Sequence, residues 1–289
     1  MMITITTTND APLRFNVQVA GVAAYLDNFA LIELAKPSEA ARRDRFMTAF
    51  MKSSGSLLFS GTNGAELAAL KGNSASAVRA FLDGFGAHWA FVELDPGRVM
   101  ERETAGQTSA CLCVDLMHAF FQDRKTELSK ATAVLDMSAG TFLRLGAVID
   151  WMGPHGAKMI ENAVALDKAI IEVVNKLRVE YEADSSALDK RLPAIPYDAK
   201  GPATFAWNHL VRNLVINAKG HPPKTGDGRD LCHAVMGAAY GSFAALDKHW
   251  KQRVASLPKP NGLAKVYYAP EIDQLVADLE THAKAWESA

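Results

Sequence analysis

The sequence predicts an α/β protein built around a mostly parallel β-sheet. Five short apolar runs bounded by turn-forming residues are the predicted strands, at about 22–27, 56–60, 88–94, 243–247 and 265–269. Helical patterns lie between these runs, and such alternation is typical of a parallel sheet with helices on its faces. The fourth run, from Phe243 to Leu246, has no polar residue, as expected of a strand that is buried on both sides.

Composition limits the classes of function. The chain has 289 residues, of which 49% are hydrophobic and 22% are charged, values typical of a soluble globular protein with a sizeable core. The formal net charge is −1, so bulk electrostatics give no argument for binding nucleic acid. Any site for a polyanion must therefore be a local patch.

The cysteine content, the amino-terminal residues and the hydropathy of the chain all favour a cytoplasmic location. The three cysteines, Cys111, Cys113 and Cys232, are few for a chain of this size and lack the spacing of zinc or redox sites. The amino-terminal residues have neither a cationic segment nor an apolar one, so they do not resemble a signal peptide. No window is long and apolar enough to predict a membrane span. We therefore expect a cytoplasmic protein that does not enter a membrane.

A long helical block separates the third and fourth predicted strands. Residues 98–217 are almost entirely helical in pattern, and Gly153-Pro154 is expected to divide them into separate helices. We assign 1–97 and 221–289 to the α/β core and 98–220 to a helical insertion subdomain beside the carboxyl edge of the sheet. The first 14 residues are polar and threonine-rich and are expected to be frayed. An apolar stripe in the insertion must be covered by its own helices or by another chain, for example in a homodimer; its members are Leu166, Ile170, Val173, Leu177 and Tyr181.

Acidic residues follow three of the predicted strands. Asp27 comes after the first strand, Glu66 lies in the helix after the second, and Asp247 ends the fourth. Asp230 begins the helix that precedes the fourth strand, and Asp227 is an alternative to it. Ligands of open α/β sheets bind outside the carboxyl ends of the strands, so these acids are candidates for one site. A plainer interpretation is that Asp230 and Asp247 only stabilise helix amino termini.

The order of these acids resembles that of the PIN domain, a Rossmann-like nuclease family. The matching stretches are AAYLDN, SLLFSGTNGAEL and DLCHAVMGAAYGSFAALDKHW, and the resemblance covers about 1–97 and 221–289. It implies a three-layer fold with a parallel sheet in the order 3-2-1-4-5. It also implies that four acids serve as catalytic and metal-binding residues, namely Asp27, Glu66, Asp230 and Asp247.

The resemblance implies a metal-dependent endoribonuclease. Carboxylates bind hard cations such as Mg²⁺ or Mn²⁺ and leave water in the coordination shell. A bound cation lowers the pKa of a water nucleophile and stabilises the charge on an attacked phosphate. The expected substrate is RNA, and a toxin or defence effector is one role that such an enzyme could have. Further candidates for contact with the substrate are Asn28, Arg229, His233 and Lys248.

Three of these substrate candidates have a plainer interpretation. His233 lies three residues after Asp230 and could contact a phosphate, although a histidine at such a position is more often structural. Basic residues flank Asp230 and Asp247 and either bind a phosphate backbone or form an ordinary charged surface. They are Lys219, Lys224, Arg229, Lys248, His249, Lys251 and Arg253.

Two other classes of function compete with the nuclease. The first is a catalytically silent PIN-like module whose insertion binds a partner protein or RNA. It is favoured by Ala245, which stands where the family usually has Ser or Thr. The second is a different phosphotransfer enzyme or phosphohydrolase, but no phosphate-cradling glycine-rich loop follows the first strand.

Overall fold

The computed structural model describes residues 2–6, 14–19, 21–123, 144–217 and 222–288. Its strands are β1 Met2–Thr6, β2 Arg14–Gln18, β3 Ala23–Leu26, β4 Ser56–Ser60, β5 Trp89–Val92, β6 Phe243–Ala245 and β7 Lys265–Tyr267. Its helices are α1 Asn28–Ala35, α2 Ala40–Lys52, α3 Gly61–Ala68, α4 Gly72–Asp83, α5 Pro96–Thr104, α6 Val114–Asp123, α7 Leu145–Ala183, α8 Ser186–Arg191, α9 Pro202–Ile216, α10 Asp227–Tyr240, α11 Lys248–Ala255 and α12 Ile272–Glu287.

The central sheet has five parallel strands in the order β5-β4-β3-β6-β7. Counted along the chain from β3, this is the predicted order 3-2-1-4-5, which is therefore confirmed. The predicted strand positions are also confirmed to within two residues at each end. The neighbours β3 and β6 are in register, with Leu26 opposite Ala245, so both strands reach the same edge of the sheet together.

The residues of β3 alternate between two hydrophobic cores, one on each face of the sheet. Ala24 and Leu26 belong to the first core, whereas Ala23 and Tyr25 belong to the second. Successive side chains of a strand point to opposite faces, and helices cover both faces of this sheet. The buried apolar runs seen in the sequence follow from that coverage.

The helical insertion contributes to both cores. Val148 and Met152 from the start of α7 belong to the first core, and Leu210 and Val215 from α9 belong to the second. Helices of the insertion therefore pack against the same sheet as the flanking segments. No helix in the described ranges is long and apolar enough to cross a membrane.

The apolar stripe of α7 is covered mostly by other helices of the chain. Ile170 is buried, and Leu166, Leu177 and Tyr181 are partly buried against the second core. Val173 alone among the five is exposed, at 51%. Four of the five stripe residues are therefore at least partly covered within the chain itself.

The expectation of a frayed amino terminus is wrong for part of that segment. The backbone of β1 pairs antiparallel with β2, with Met2 opposite Gln18 and Thr6 opposite Arg14. The segment from Ile3 to Thr6 alternates isoleucine with threonine, and such β-branched residues favour extended backbone. Residues 7–13 lie outside the described residues.

The expected helix break at Gly153-Pro154 is also wrong. Helix α7 runs through both residues without interruption. Proline in a helix removes one backbone donor and strains the preceding turn. Here Gly153 and Pro154 lie on the exposed face, while Met152 and Gly156 on either side of them are buried. Packing of the buried face outweighs the local preference of proline.

Candidate active site

The carboxyl edge of the sheet brings Asp27 close to the end of β6. The Asp27 backbone nitrogen donates a hydrogen bond to the Ala245 carbonyl at 3.1 Å, which extends the pairing of β3 with β6 past the last strand residue. The Asp27 carboxylate caps α1 by accepting from the Asn28 backbone nitrogen at 2.7 Å. Asp247 stands at the start of α11, where its side chain is exposed and makes no capping bond.

Asp230 lies in the first turn of α10 and faces the charges of the other acids. The pKa of its carboxyl is raised from 3.8 to about 7, chiefly by burial and also by the carboxylates of Asp27, Asp247 and Asp227, while the guanidinium of Arg229 lowers it. Ionisation is disfavoured where a carboxyl is desolvated beside like charges. The charge of Asp230 therefore depends on its burial and on the neighbouring charges.

The pKa of Asp27 is raised as well. Burial is the main cause, and it is opposed by the hydrogen bond from the Asn28 backbone and by Arg229 and Asn63. Asp27 and Asp230 thus share Arg229 as a counter-charge. Without a further cation, this edge holds more negative charge than its surroundings stabilise.

Glu66 is held by two neighbours. Its carboxylate forms an ion pair with the Arg229 guanidinium at 2.9 Å and accepts a hydrogen bond from the Asn28 side chain at 2.6 Å. Helix α3, which carries Glu66, begins with a capping box in which Ser60 and Asn63 satisfy each other's backbone nitrogens. The start of this helix, and so the position of Glu66, is fixed by β4 and its cap.

The four predicted ligands do not form a ready-made metal centre. Among the described residues, no group of three or more His, Cys, Asp and Glu side chains is arranged to hold a metal ion. The positions of the acids explain this: Glu66 pairs with Arg229, Asp27 caps its own helix, and Asp247 projects into solvent. The donors at this edge are nevertheless all carboxylate or amide oxygens, a set that fits a hard cation.

A hydrogen-bonded chain runs beneath the acids. The Asn63 amide donates to the Asn28 side-chain oxygen at 3.0 Å, and Asn28 in turn donates to Glu66. Asn63 also accepts from the Ser60 hydroxyl at 2.6 Å. These hydrogen bonds join Asn28 of α1, Asn63 of α3 and Ser60 of β4. The side chain of Asn28 therefore binds Glu66 in this structure, although it was expected to contact a substrate.

His233 belongs to the buried end of the same chain of contacts. Its Nδ1 contacts the hydroxyl of Tyr25, which lies 3.4 Å from the Asn63 side-chain oxygen. Burial lowers the pKa of His233 to about 4, so the ring is neutral at neutral pH. Only 6% of His233 is exposed. The proposed contact of His233 with a phosphate is therefore disfavoured, because the ring has neither charge nor access.

Most of the basic cluster is engaged within the protein. Arg253 is buried and donates to Asn213 and His249, and Lys251 pairs with Glu271. Lys224 and Lys248 are exposed, and Lys219 lies outside the described residues. A continuous phosphate-binding patch beside the acids is thus not present in the described part of the cluster. Lys248, next to Asp247, remains a candidate for contact with a substrate.

The insertion holds the helix that carries Asp230. Asp167, in the middle of α7, is 3% exposed and accepts hydrogen bonds from the backbone nitrogens of Gly226 and Arg229. A β-carbon at Gly228 would lie 2.7 Å from the Asp167 backbone oxygen, so only glycine allows this close approach. Asp167 was not among the residues predicted from the sequence, because nothing in a helical pattern marks one acid as buried.

Comparisons with protein-family models, with curated proteins and with solved structures give no match. Fold and site geometry are therefore the observations on which a function can be argued.

Proposed function

We propose that this protein is a metal-dependent endoribonuclease with a PIN-like core. The observation that carries the proposal is the adjacency of β3 and β6, which brings Asp27 and Asp247 to one edge of the sheet. The charges of both acids raise the pKa of Asp230 at that edge. The sheet order agrees with the one that the resemblance implies. The choice of RNA over DNA rests on that resemblance alone.

The chain's own residues have separate roles in this proposal. Asp27, Glu66, Asp230 and Asp247 would hold Mg²⁺ or Mn²⁺, which would supply an activated water and stabilise charge on the attacked phosphate. Asn28 orients Glu66 through its side-chain amide. Arg229 pairs with Glu66 and partly neutralises Asp27 and Asp230, which keeps the acids together before a cation is bound.

The test is cleavage of labelled RNA in Mn²⁺ and in EDTA, with DNA of the same sequence alongside. We expect cleavage of RNA in Mn²⁺ only. Asp27→Asn should reduce the rate at least about a hundredfold, the upper end of what loss of a supporting contact costs. The exposed acid Asp44 gives a matched control, and Asp44→Asn should cleave at the normal rate. Full activity of Asp27→Asn, or cleavage in EDTA, would refute the proposal.

One observation favours a second candidate, a catalytically silent interaction module. The carboxylate of Glu66 is already engaged by Arg229 and Asn28, which resembles a site whose metal has been replaced by an internal cation. Calorimetric titration with Mn²⁺ separates the two candidates. Binding that Asp27→Asn abolishes supports the nuclease, and no binding at millimolar Mn²⁺ supports the silent module.

A further inference from the structure

An open cleft of about 660 Å³ lies between the sheet and the insertion, beside the candidate active site. Its base is the end of β5 with the start of α3, and its walls are α6 and α7. This volume is within the ~300–1,000 Å³ range typical of small-molecule sites. The cleft is large enough to accept one planar group of a substrate.

Arg229 connects the cleft to the acids. It lines the cleft, while its guanidinium contacts Glu66 at 2.9 Å. Thr62, one turn before Glu66 on α3, lines the cleft as well. A substrate at the acids can therefore place a neighbouring group in the cleft without crossing the protein.

The side chains of the walls are mainly apolar and include one indole. Helix α7 presents Trp151, Met159 and Leu166, and α6 presents Leu116 opposite them. Trp151 is held by three neighbours: its Nε1 donates to Asp123 at 2.7 Å, its ring packs edge-on against Phe120 at 5.6 Å, and the ring of His155, which also lines the cleft, lies 4.8 Å away. A fixed aromatic ring in an apolar wall is a surface on which a flat ring can stack.

The charges around the cleft do not favour a phosphate group. Three acids surround Arg98: Asp115 at 3.4 Å, Glu93 at 3.5 Å and Asp95 at 3.9 Å. The other basic residues of the lining also face acids: Lys158 pairs with Glu161, Arg229 pairs with Glu66, and His155 lies 3.7 Å from Asp123. A group without charge is therefore better suited to the cleft than an anion.

Glu93 offers an unused hydrogen-bond acceptor in the lining. Only 8% of the residue is exposed, and its Oε1 accepts from the Asp95 backbone nitrogen at 3.1 Å. Its Oε2 is buried and has no hydrogen-bond partner among the described residues. The guanidiniums of Arg98 and Arg102 lie 3.5 Å and 3.7 Å from this oxygen as ion-pair partners, and the Arg98 side chain is 55% exposed. A buried acceptor without a donor is costly, which points to a ligand N–H that completes it.

We propose that the cleft binds a nucleobase of a single-stranded nucleic acid, which stacks on Trp151 and donates an N–H to Glu93. Each nucleobase combines a flat uncharged ring with an N–H donor on its edge. The ring would stack on Trp151, and the N–H would donate to the Glu93 acceptor. The inference rests on the proposed function, since it takes the phosphate next to the bound base to lie at the acids. It goes beyond that function because it assigns substrate recognition to the insertion.

Binding in EDTA tests the inference without any need for cleavage. Fluorescence anisotropy would measure the affinity of the full chain for a short labelled single-stranded RNA, and for the same RNA with one abasic residue at each position in turn. Stacking of a base is worth about 1–3 kcal/mol, so one abasic position should weaken binding about five- to 150-fold. Equal affinity for every abasic RNA would overturn the inference.

Two variants locate the base in the cleft. Ala119 is exposed on α6 and lines the cleft, so Ala119→Trp should fill it and remove the preference for intact over abasic RNA. Ala165→Trp, on α7 outside the cleft, is the matched control and should bind as the wild type does. Glu93→Gln should weaken the binding of intact RNA about tenfold, because an amide N–H replaces the acceptor oxygen. The same variant should leave the affinity for abasic RNA unchanged. Wild-type binding by Ala119→Trp would place the base elsewhere and overturn the inference.

Failure of the inference and failure of the proposed function are distinguishable. Base-dependent binding that Ala119→Trp blocks, with no cleavage in Mn²⁺, would support the cleft and refute the nuclease. Cleavage in Mn²⁺ with no effect of abasic positions or of Ala119→Trp would support the nuclease and refute the cleft.

Discussion

Asp167 Oδ1 accepts a hydrogen bond from the Arg229 backbone nitrogen at 3.1 Å, and this bond joins the middle of α7 to the first turn of α10. The other carboxylate oxygen accepts from the Gly226 nitrogen at 3.0 Å. The first backbone nitrogens of a helix have no partner within the helix, and a carboxylate there also favours the helix dipole. Asp167 therefore positions Arg229 and Asp230 from 62 residues before Arg229 in the chain.

Asp167→Ala should destabilise the protein by about 1–2 kcal/mol, the usual cost of losing a helix cap. Asp167→Asn keeps one acceptor and should lose less. On the proposed function, Asp167→Ala should also lower kcat more than it raises KM, because Asp167 touches the helix and not the substrate. Urea unfolding and steady-state kinetics measure these effects. Asp150→Ala, an exposed acid on the same helix, is the control and should change neither quantity appreciably.

Gly228→Ala should destabilise the protein by about 1–3 kcal/mol, the range for an overpacked contact. The new β-carbon would lie 2.7 Å from the Asp167 backbone oxygen, which cannot move away without shifting α7. At Gly153, on the exposed face of α7, a new β-carbon would meet no other atom within 4 Å. Gly153→Ala should stabilise the protein by about 0.5–1 kcal/mol through helix propensity. Thermal unfolding of both variants checks the pair, and a neutral Gly228→Ala would show that the two helices are loosely packed.

The contribution of Asp230 to the free energy of unfolding, measured in EDTA, should fall as the pH rises from about 4 to about 7. The pKa of Asp230 is raised to about 7 in the folded protein, so the folded state binds more protons than the unfolded state within that window. The stability that Asp230 contributes is fully present below the pKa of Asp230 in the unfolded state. It is lost as the pH rises through the pKa of Asp230 in the folded state. Asp230→Asn should therefore gain stability relative to the wild type as the pH rises. A constant difference between the two proteins across this range would contradict the assignment.

Arg229→Met should raise the pKa of Asp230 above its value of about 7, because Arg229 is the cation that lowers it. The same change should raise the pKa of Asp27. Methionine keeps the apolar stem and removes only the charge. Carbon-13 NMR titration of the aspartate carboxyls in EDTA would show the shift. An unchanged or lower pKa of Asp230 would mean that another group supplies the counter-charge.

The sheet could be predicted because its signals are local. Each strand is a short apolar run closed by turn residues, and the acid after β3 or β6 marks where the strand ends. The pairing of β3 with β6 came from the resemblance, since no periodicity states which strands are neighbours. Asp27 and Asp247 were therefore expected at one edge, and their strands are adjacent.

The rest of the site depends on contacts between distant segments, which a sequence pattern does not encode. Arg229 was expected to face a substrate, and its guanidinium pairs with Glu66. Pro154 was expected to end a helix, but packing of the neighbouring turns carries α7 through it. Asp167 has the same chemical character as the exposed acids of its helix, and only tertiary packing distinguishes it.

The pairing of β3 with β6 also sets when the carboxylates can meet during synthesis. The Ala23 nitrogen donates to the Ser242 hydroxyl, 219 positions later in the chain, so the whole insertion leaves the ribosome before this contact can form. Pairings between such distant segments form late and slowly. A nascent chain that ends before β6 has Asp27 but neither the strand nor the acid that completes the edge. On the proposed function, such a chain would be unable to cleave RNA until β6 and Asp247 have been made and have joined the sheet.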